Sequence, residues 1–488
     1  MNRRTFLRTS FFAAAGLSAC SRAAVPAARR PNLLVITVDD MNCDSVGAFG
    51  CALPDTTPRL DRLAARGLRF EHAHVQVANC MPSRNVMQTG CYPHTSGVEG
   101  FYQVQYERPI LPDLLKREGY FTAIKGKVGH SSPYHPYEWD LVLTPERGRA
   151  QNRSAQAFGE LTARAIDAGR NAGKPFYLLM NITDPHKPFY GVDKRGNPVD
   201  DPNVPTRIYH DDEVPVPGFL FDDPVVRKEL AQYYCSVRRA DDCVGAILDA
   251  LGNAGLANNT VVMFLSDHGM PFPFAKTNLY HHSTRTPWIV RWPGVVSPGT
   301  VDRRHMISAI DFMPTILDIV GIPAPAFLQG RSFVPLLHGG TQTGRDLVFK
   351  DYNENAGGGR HPMRSVETRR YGYIFNPWAN GERKFKTATM GTRTYKRMQE
   401  LATTDPAMAE RLDLFDHRVV EEFYDYENDP DALNNLIDDP RYRPEIARLR
   451  AALEAWMVKT GDHALEAFRN RTDPDALEAY VTGLQKEA

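Results

Sequence analysis

The stretch NLLVITVDD, residues 32–40, contains a continuous apolar run that ends in two carboxylates. Aliphatic and β-branched residues without alternation are typical of a strand that is buried on both faces, as in a parallel sheet. In open α/β sheets, ligands bind at the carboxyl ends of the strands. Residues 32–38 therefore predict a parallel strand, and Asp39 and Asp40 predict a ligand site at its end.

Other segments repeat this pattern of a helical stretch followed by a buried strand. A long helix is predicted around residues 225–251, directly before one of these strands. The alternation indicates an α/β fold with a large, mainly parallel sheet sandwiched by helices. The further strands are predicted at Phe121–Ile124, Phe176–Ile182 and Val261–Leu265.

The last third of the chain has a different character. From about residue 346 it is richer in aromatic and charged residues, and an amphipathic helix is predicted over residues 444–459. We expect a larger domain at residues 31–345 and a smaller C-terminal α+β domain at residues 346–488.

Length and charge exclude some classes of protein. The chain has 488 residues, with 58 Lys plus Arg against 58 Asp plus Glu, so its formal net charge is zero. This balance gives no general attraction to a polyanion, and we expect no nucleic-acid partner. The apolar fraction of 42% is that of an ordinary soluble body, and no apolar run reaches the roughly 20 residues of a spanning helix.

Residues 1–30 predict an export signal and linker. The paired arginines of Arg3-Arg4-Thr5-Phe6-Leu7 precede a short apolar run at residues 11–17, as in twin-arginine signals. The following Leu17-Ser18-Ala19-Cys20 resembles a bacterial lipobox. We expect an exported lipoprotein of the bacterial periplasm or envelope that contacts membrane only through Cys20, with an ordinary cleaved signal as the alternative.

The six cysteines after Cys20 contain no close Cys-x-x-Cys pair, so a sulfur-ligated zinc ribbon is not expected. Disulfides are compatible with export, but the spacing leaves their pairing open. These cysteines are Cys43, Cys51, Cys80, Cys91, Cys235 and Cys243.

Residues 80–84, CMPSR, carry the strongest chemical signal in the chain. Pro82 fits the first turn of a helix, which would place Cys80 at a helix N-terminus, where N–H groups and the helix dipole favour an anion. Arg84 adds a planar fork of donors suited to an oxyanion. The simpler alternative is a buried cysteine ahead of a helix that starts with proline.

Cys-x-Pro-Ser-Arg, with Thr89-Gly90 after it, resembles the sulfatase motif, in which the cysteine becomes formylglycine. Further residues match this family in the family's order, although each alone also fits a strand-end turn or a hydrogen-bonded loop residue. They are Asp39, Asp40, Lys127, His130, His186, Asp267 and His268.

The resemblance implies formylglycine (3-oxoalanine) at position 80 and one divalent cation. Carboxylates form the hard-oxygen site that calcium prefers, with magnesium as the alternative. His268 stands where the family most often has asparagine, and imidazole leaves the identity of the metal open. The implied ligands are Asp39, Asp40, residue 80, Asp267 and His268.

The same resemblance implies roles for the remaining residues. A hydroxyl of the hydrated aldehyde attacks sulfur, while the metal, Arg84 and Lys127 neutralise the sulfuryl oxygens. His186 is the expected proton donor to the leaving group, and His130 the expected base for release of sulfate.

Residues that follow Asp267-His268 resemble the sulfamidase branch of the family, the N-sulfoglucosamine sulfohydrolases. Pro271-Phe272-Pro273 and residues 276–280, KTNLY, match that branch, with Lys276 in place of its arginine and expected to contact the sulfuryl group. The resemblance implies an N-sulfoglucosamine substrate of the heparan type and a formylglycine-generating enzyme as partner.

Two alternatives stay open for the substrate. Lys127 and His130 are separated by two residues instead of the sulfamidase's one, as in iduronate sulfatases, which favours a carbohydrate O-sulfate. Phosphonate or phosphodiester hydrolases of the alkaline phosphatase superfamily share the catalytic motifs. A glycan-binding protein with an inactive site is the non-enzymatic alternative. His361 and Arg364 are plausible sugar or carboxylate contacts at the rim of the pocket, with solvated loop residues as an equal alternative.

Overall fold

The computed structural model describes residues 30–144, 152–356 and 359–487. The export signal and the lipid anchor predicted at Cys20 lie outside the described residues. Within the described ranges, no helix combines the length and the apolar character that crossing a bilayer requires.

Strands β1 to β14 follow one another along the described chain. They are Asn32–Val38, Leu68–Phe70, Ala73–His74, Phe121–Lys125, Leu141–Leu143, Phe176–Ile182, Thr260–Ser266, Trp288–Arg291, Thr300–Asp302, Ile307–Ser308, Val348–Glu354, Arg360–Glu367, Tyr371–Phe375 and Glu421–Asp425.

Helices α1 to α14 lie between and after these strands. They are Pro58–Ala65, Cys80–Thr89, Pro93–Ser96, Leu111–Arg117, Ala155–Asn171, Pro224–Asn253, His281–Thr284, Phe312–Ile319, Val334–Leu337, Arg393–Leu401, Pro406–His417, Arg443–Thr460, Leu465–Arg469 and Pro474–Glu487.

The main sheet has eight strands in the order β5-β4-β6-β1-β7-β8-β2-β9. Strands β5, β4, β6, β1 and β7 are all parallel, and β8 is antiparallel to both of its neighbours. The predicted α/β class with a mainly parallel sheet is confirmed, and the four predicted strands agree with the observed ones to within a residue at each end.

Helices cover both faces of the main sheet because β1 is apolar on both faces. Leu34 and Ile36 belong to one hydrophobic core, which includes residues of α5 and α6. Leu33 and Val35 belong to a second core, which includes residues of α4, α8 and α12. Burial on both faces explains why this strand lacks the alternation of a half-exposed one.

The C-terminal part contains a second, antiparallel sheet in the order β11-β12-β13-β14. The predicted amphipathic helix is α12, whose Leu449 and Leu453 are fully buried. The boundary between two domains at residues 345 and 346 stays a prediction.

Candidate active site

Two adjacent parallel strands bring the predicted acidic residues together. Val38 of β1 is in register with Ser266 of β7, so the residues that follow both strands emerge side by side. The N–H of Asp40 donates to Asp267 Oδ1 over 3.0 Å, and the N–H of Asp267 donates to the carbonyl oxygen of Val38 over 3.1 Å. Asp39, Asp40 and Asp267 are fully buried at this edge.

The turn after β7 has a strict steric requirement. A Cβ atom at Gly269 would lie 2.3 Å from the carbonyl oxygen of His282, a distance that no real side chain tolerates. Ser266 Oγ donates to the carbonyl oxygen of His268 over 2.7 Å and accepts the N–H of Met41 over 3.0 Å. Glycine after His268 is therefore needed to fold this turn against α7.

Cys80 is the first residue of α2, as its sequence predicted, and Asn79 is the N-cap. The whole of α2 is buried, and Ser83 Oγ donates to the carbonyl oxygen of Asp267 over 2.6 Å. This bond fixes the start of α2 against the turn that carries Asp267.

The Cys80 sulfur faces three polar groups. Its Sγ lies 3.4 Å from His268 Nε2, 3.6 Å from Lys276 Nζ and 3.9 Å from Asp40 Oδ1. Burial raises the pKa of the thiol to about 12, so it is protonated at neutral pH. An unmodified Cys80 is therefore a poor nucleophile, because the thiolate is the reactive form.

The guanidinium of Arg84 is buried, and each of its nitrogens contacts other residues of the protein. Nε and one terminal nitrogen lie 3.2 and 3.1 Å from Asp267 Oδ2, and the same terminal nitrogen contacts Asp39. The other terminal nitrogen donates to Thr37 Oγ1 over 2.6 Å and to Asn181 Oδ1 over 2.7 Å. Arg84 thus binds two carboxylates of the site and is already saturated with partners.

Two lysines supply the remaining positive charge. Lys276 Nζ lies 2.8 and 2.9 Å from the two oxygens of Asp40, and Lys127 Nζ lies 2.5 Å from Asp39 Oδ2. Burial opposes the charge of Lys127, but Asp39 outweighs burial and raises the pKa of that lysine. Three buried carboxylates therefore face three cations.

The backbone is unusual at the same place. Asp40, Lys127 and Thr277, which follows Lys276, all have positive φ, at 66°, 48° and 66°. Non-glycine residues in this region are uncommon and cluster at functional sites, where the surrounding structure holds them.

Two histidines complete the group. His186 Nδ1 lies 2.6 Å from the carbonyl oxygen of Lys187, so this nitrogen donates and Nε2 is left for a ligand. His130 Nδ1 is buried without a hydrogen-bond partner, and the ring of Phe101 meets the His130 ring edge-on at 5.5 Å. Burial lowers the pKa of both histidines to about 4, so both are neutral at pH 7.

The donor set fits a divalent cation. Asp40, Cys80 and His268 offer ligand atoms that lie within 4.8 Å of one another, and Asp39 and Asp267 adjoin them. Burial raises the pKa of Asp267, and the charge of Asp39 raises it further. A bound cation would relieve this repulsion.

The structure thus brings the sequence-predicted site residues together, with His130 and His186 near enough to interact electrostatically with Asp39 and Lys127. It also shows contacts that the motifs did not predict, made by Ser83 of the Cys-x-Pro-Ser-Arg motif and by Thr37, Asn181 and Ser266. Asn181 could have been identified from the sequence, since it is a polar residue in the apolar run of β6.

The rim interpretation of Arg364 is wrong. Its side chain is fully buried and lies 2.5 Å from Asp462 and 3.0 Å from Asp351. His361 is buried as well, and its ring meets that of Trp378 edge-on. All six cysteines of the described ranges are free thiols.

Comparisons with known proteins agree with this geometry. A model of the sulfatase family matches residues 31–322, and a model of the C-terminal part of N-sulphoglucosamine sulphohydrolase matches residues 267–381. The chain belongs to the sulfatase family. Human N-sulphoglucosamine sulphohydrolase is 31% identical over 465 residues, which cover 89% of this chain and 91% of the human protein.

Solved structures show the same fold. A 2-O GAG sulfatase has a TM-score of 0.66 at 21% identity, with 89% of this chain and 93% of that chain covered. The phosphonate monoester hydrolase of Agrobacterium radiobacter also has a TM-score of 0.66, at 18% identity, with 88% and 96% covered. At these identities the likeness establishes the fold alone.

Replacing Arg84 with glutamine tests how strongly the site depends on this cation. The change leaves two buried carboxylates without their common partner, so the chelator-treated variant should lose about 3–5 kcal/mol of unfolding free energy. Chemical denaturation provides the measurement. Arg441→Gln, which breaks the pair between an arginine that is 78% exposed and Asp439, is the control and should leave stability close to that of the wild type. Equal effects in the two variants would contradict this account of Arg84.

Proposed function

We propose that this protein is a hydrolase that removes sulfate from a sulfated sugar, with N-sulfoglucosamine as the preferred substrate. The observation that carries the proposal is the position of Cys80. Its sulfur lies at a helix N-terminus, within 3.9 Å of a carboxylate, an imidazole and an ammonium group. A tetrahedral oxyanion held at this point would meet helix N–H groups and two lysines.

Position 80 would carry formylglycine, whose hydrate supplies a hydroxyl nucleophile that the buried thiol does not. Asp39, Asp40, Asp267 and His268 would hold calcium, or magnesium, which supplies positive charge to the sulfuryl oxygens. The resemblance implied that Arg84 neutralises the sulfuryl oxygens. Since its donors are occupied by Asp39, Asp267, Thr37 and Asn181, we propose that Arg84 positions the two carboxylates instead.

The lysines are the residues of the chain that bind the sulfuryl group. Lys276 Nζ lies 3.6 Å from the position-80 sulfur, so it is placed against the attacking group and the bridging atom of the substrate. Lys127 lies on the side of Asp39 and keeps 16% of its side chain exposed, which leaves it accessible to a ligand. Both lysines are held in their charged form by the adjacent carboxylates.

The two neutral histidines move protons. His130 can accept one at once, because a pKa lowered to about 4 leaves it as free base at pH 7. His186 must first gain a proton before it can donate to the leaving group. The negative charge of a bound sulfate favours that protonation, so we assign proton donation to His186 in the substrate complex.

The choice of substrate rests on the likeness to the human sulfamidase, whose name gives N-sulfoglucosamine as its substrate, and on the segment that contains Lys276. An O-sulfated carbohydrate is the second candidate. The two residues between Lys127 and His130 favour it, because this spacing resembles that of an O-sulfatase branch.

Sulfate release should separate these candidates. Purified protein, with formylglycine at position 80 established by peptide mass, should release sulfate from N-sulfoglucosamine at least tenfold faster than from glucosamine 6-sulfate. Ion chromatography provides the measurement. The reverse preference would retain the sulfatase chemistry and overturn the substrate.

Cys80→Ala is the matched control for this assay. The variant cannot form the aldehyde and should lose sulfate release by at least about 10³-fold, because the nucleophile is absent. Sulfate release by Cys80→Ala at the wild-type rate would contradict the assignment. Faster phosphate release from a simple phosphodiester by the mature protein would favour the phosphohydrolase class.

Metal removal should abolish activity and lower stability. Without a cation, the repulsion among Asp39, Asp40 and Asp267 is unrelieved, so chelation should lower the melting temperature and calcium should restore it. Scanning fluorimetry and elemental analysis give both quantities. Full activity in a metal-free sample would rule out the cation.

Two further parts of the proposal concern maturation and location. A formylglycine-generating enzyme is the proposed partner that oxidises Cys80, and export to the bacterial envelope with a lipid anchor at Cys20 is the proposed location. Replacing Arg3-Arg4 with two lysines should retain the protein in the cytoplasm, as cell fractionation would measure. Unchanged export of that variant would exclude the twin-arginine route.

A further inference from the structure

A second group of metal-ligand side chains lies apart from Cys80. It consists of His74 at the end of β3, His281 at the start of α7 and Glu367 at the end of β12, and we name it the His-Glu cluster. Their ligand atoms all lie within 4.8 Å of one another. The cluster shares no residue with the site around Cys80.

One tautomer of His74, with the proton on Nδ1, fits the hydrogen bonds around it. Thr284 directs its hydroxyl hydrogen at the carbonyl oxygen of Tyr280, 3.5 Å away, so Thr284 Oγ1 is an acceptor for His74 Nδ1 at 3.2 Å. His74 Nε2 is then left with a lone pair. This assignment matches metal-binding histidines, which donate their second ring nitrogen to a neighbouring oxygen.

The lone pair of His74 has no hydrogen-bond donor. Its Nε2 atom is fully buried, makes no hydrogen bond and faces Glu367 Oε1 at 3.4 Å. In this tautomer, two acceptor atoms face each other at the buried end of the cluster, which is costly unless a cation lies between them.

The carboxylate of Glu367 is oriented so that one oxygen can bind a cation. Its Oε2 contacts Lys350, whose Nζ also donates to the carbonyl oxygen of Leu279 over 3.1 Å. The other oxygen, Oε1, lies 2.6 Å from His281 Nδ1. Lys350 therefore fixes the carboxylate so that Oε1 faces both imidazoles.

The charges of the cluster decide which metal it suits. Lys350 already offsets the single carboxylate, so little negative charge is left to attract calcium or magnesium. Two imidazoles and one carboxylate are instead the donors of borderline transition ions, zinc above all. The cluster and the site around Cys80 therefore differ in the class of ion that they favour.

A route to solvent exists on the His281 side. A cavity of about 520 Å³ is lined by His281, His72, Arg285 and Tyr426, among others. His281 keeps 16% of its side chain exposed, whereas His74 and Glu367 are fully buried. An ion can enter from this side, and a water molecule can occupy the fourth coordination position.

We propose that His74, His281 and Glu367 bind one zinc-type divalent ion, with a water molecule in the fourth tetrahedral position. When His281 Nδ1, which lies 2.6 Å from Glu367 Oε1, becomes a ligand, any proton on that nitrogen moves to Nε2 of the same ring or to solvent. The ion joins β12 of the second sheet to β3 and to α7. Since α7 begins five residues after Lys276, it also anchors the loop that carries this lysine.

The test uses the full chain, stripped with a chelator and dialysed against micromolar zinc with excess calcium to saturate the carboxylate site. Wild-type protein should retain one zinc per chain by elemental analysis and gain about 5 °C in melting temperature. His281→Gln, a change at a partly exposed position, should lower zinc affinity at least tenfold and remove the gain. His417→Gln, which alters a surface histidine paired with Asp413 at 2.7 Å, is the matched control and should behave as wild type.

His268→Asn distinguishes the two metal sites. Zinc retained by this variant and lost by His281→Gln supports the His-Glu cluster. Zinc lost by His268→Asn and retained by His281→Gln places the ion beside Cys80 and overturns the proposal, as does absence of zinc from the wild type. Cobalt gives a second readout that is independent of folding stability: four-coordinate cobalt should show visible absorption in the wild type and not in His281→Gln.

Discussion

Charge neutralisation in a dry interior is the constraint on which the rest of this structure depends. Arg84 binds Asp39 and Asp267, and this guanidinium is in turn held by Thr37 and Asn181, on the neighbouring strands β1 and β6. Burying three carboxylates without partners would cost more free energy than a domain has to spare. The paired strands, the buried helix α2 and the left-handed turns all hold these charges in register.

Two opposing effects set the pKa values of the acidic residues. Burial would raise the pKa of Asp40, but Lys276 overcomes it and lowers that pKa to about 2. Asp267 has weaker compensation, and its pKa is raised. Positive charge is therefore distributed unevenly among the three described carboxylates. Asp267, which follows β7, has the least compensation. This is where a cation has the most to contribute.

The sequence indicated the sheet and the motif residues because both depend on local signals. Apolar runs such as residues 32–38 mark buried strands, and Pro82 marks the start of a helix. The closed donor set of Arg84 was not predictable, because Thr37 and Asn181 become its partners only through the order of strands β6 and β1. The burial of Arg364 was missed for the same reason, since Asp462 lies 98 residues away along the chain.

The burial of position 80 determines whether this residue can be modified before or after the chain folds. Only 2% of Cys80 is exposed, and every residue of the helix that carries it is packed inside the protein. A modifying enzyme could not bind this segment once the sheet has formed around it. The oxidation of Cys80 that we propose must therefore precede folding, while this segment is still accessible to another enzyme. The proposed modification and folding therefore compete in time, and their relative rates decide whether the folded protein carries the modified residue.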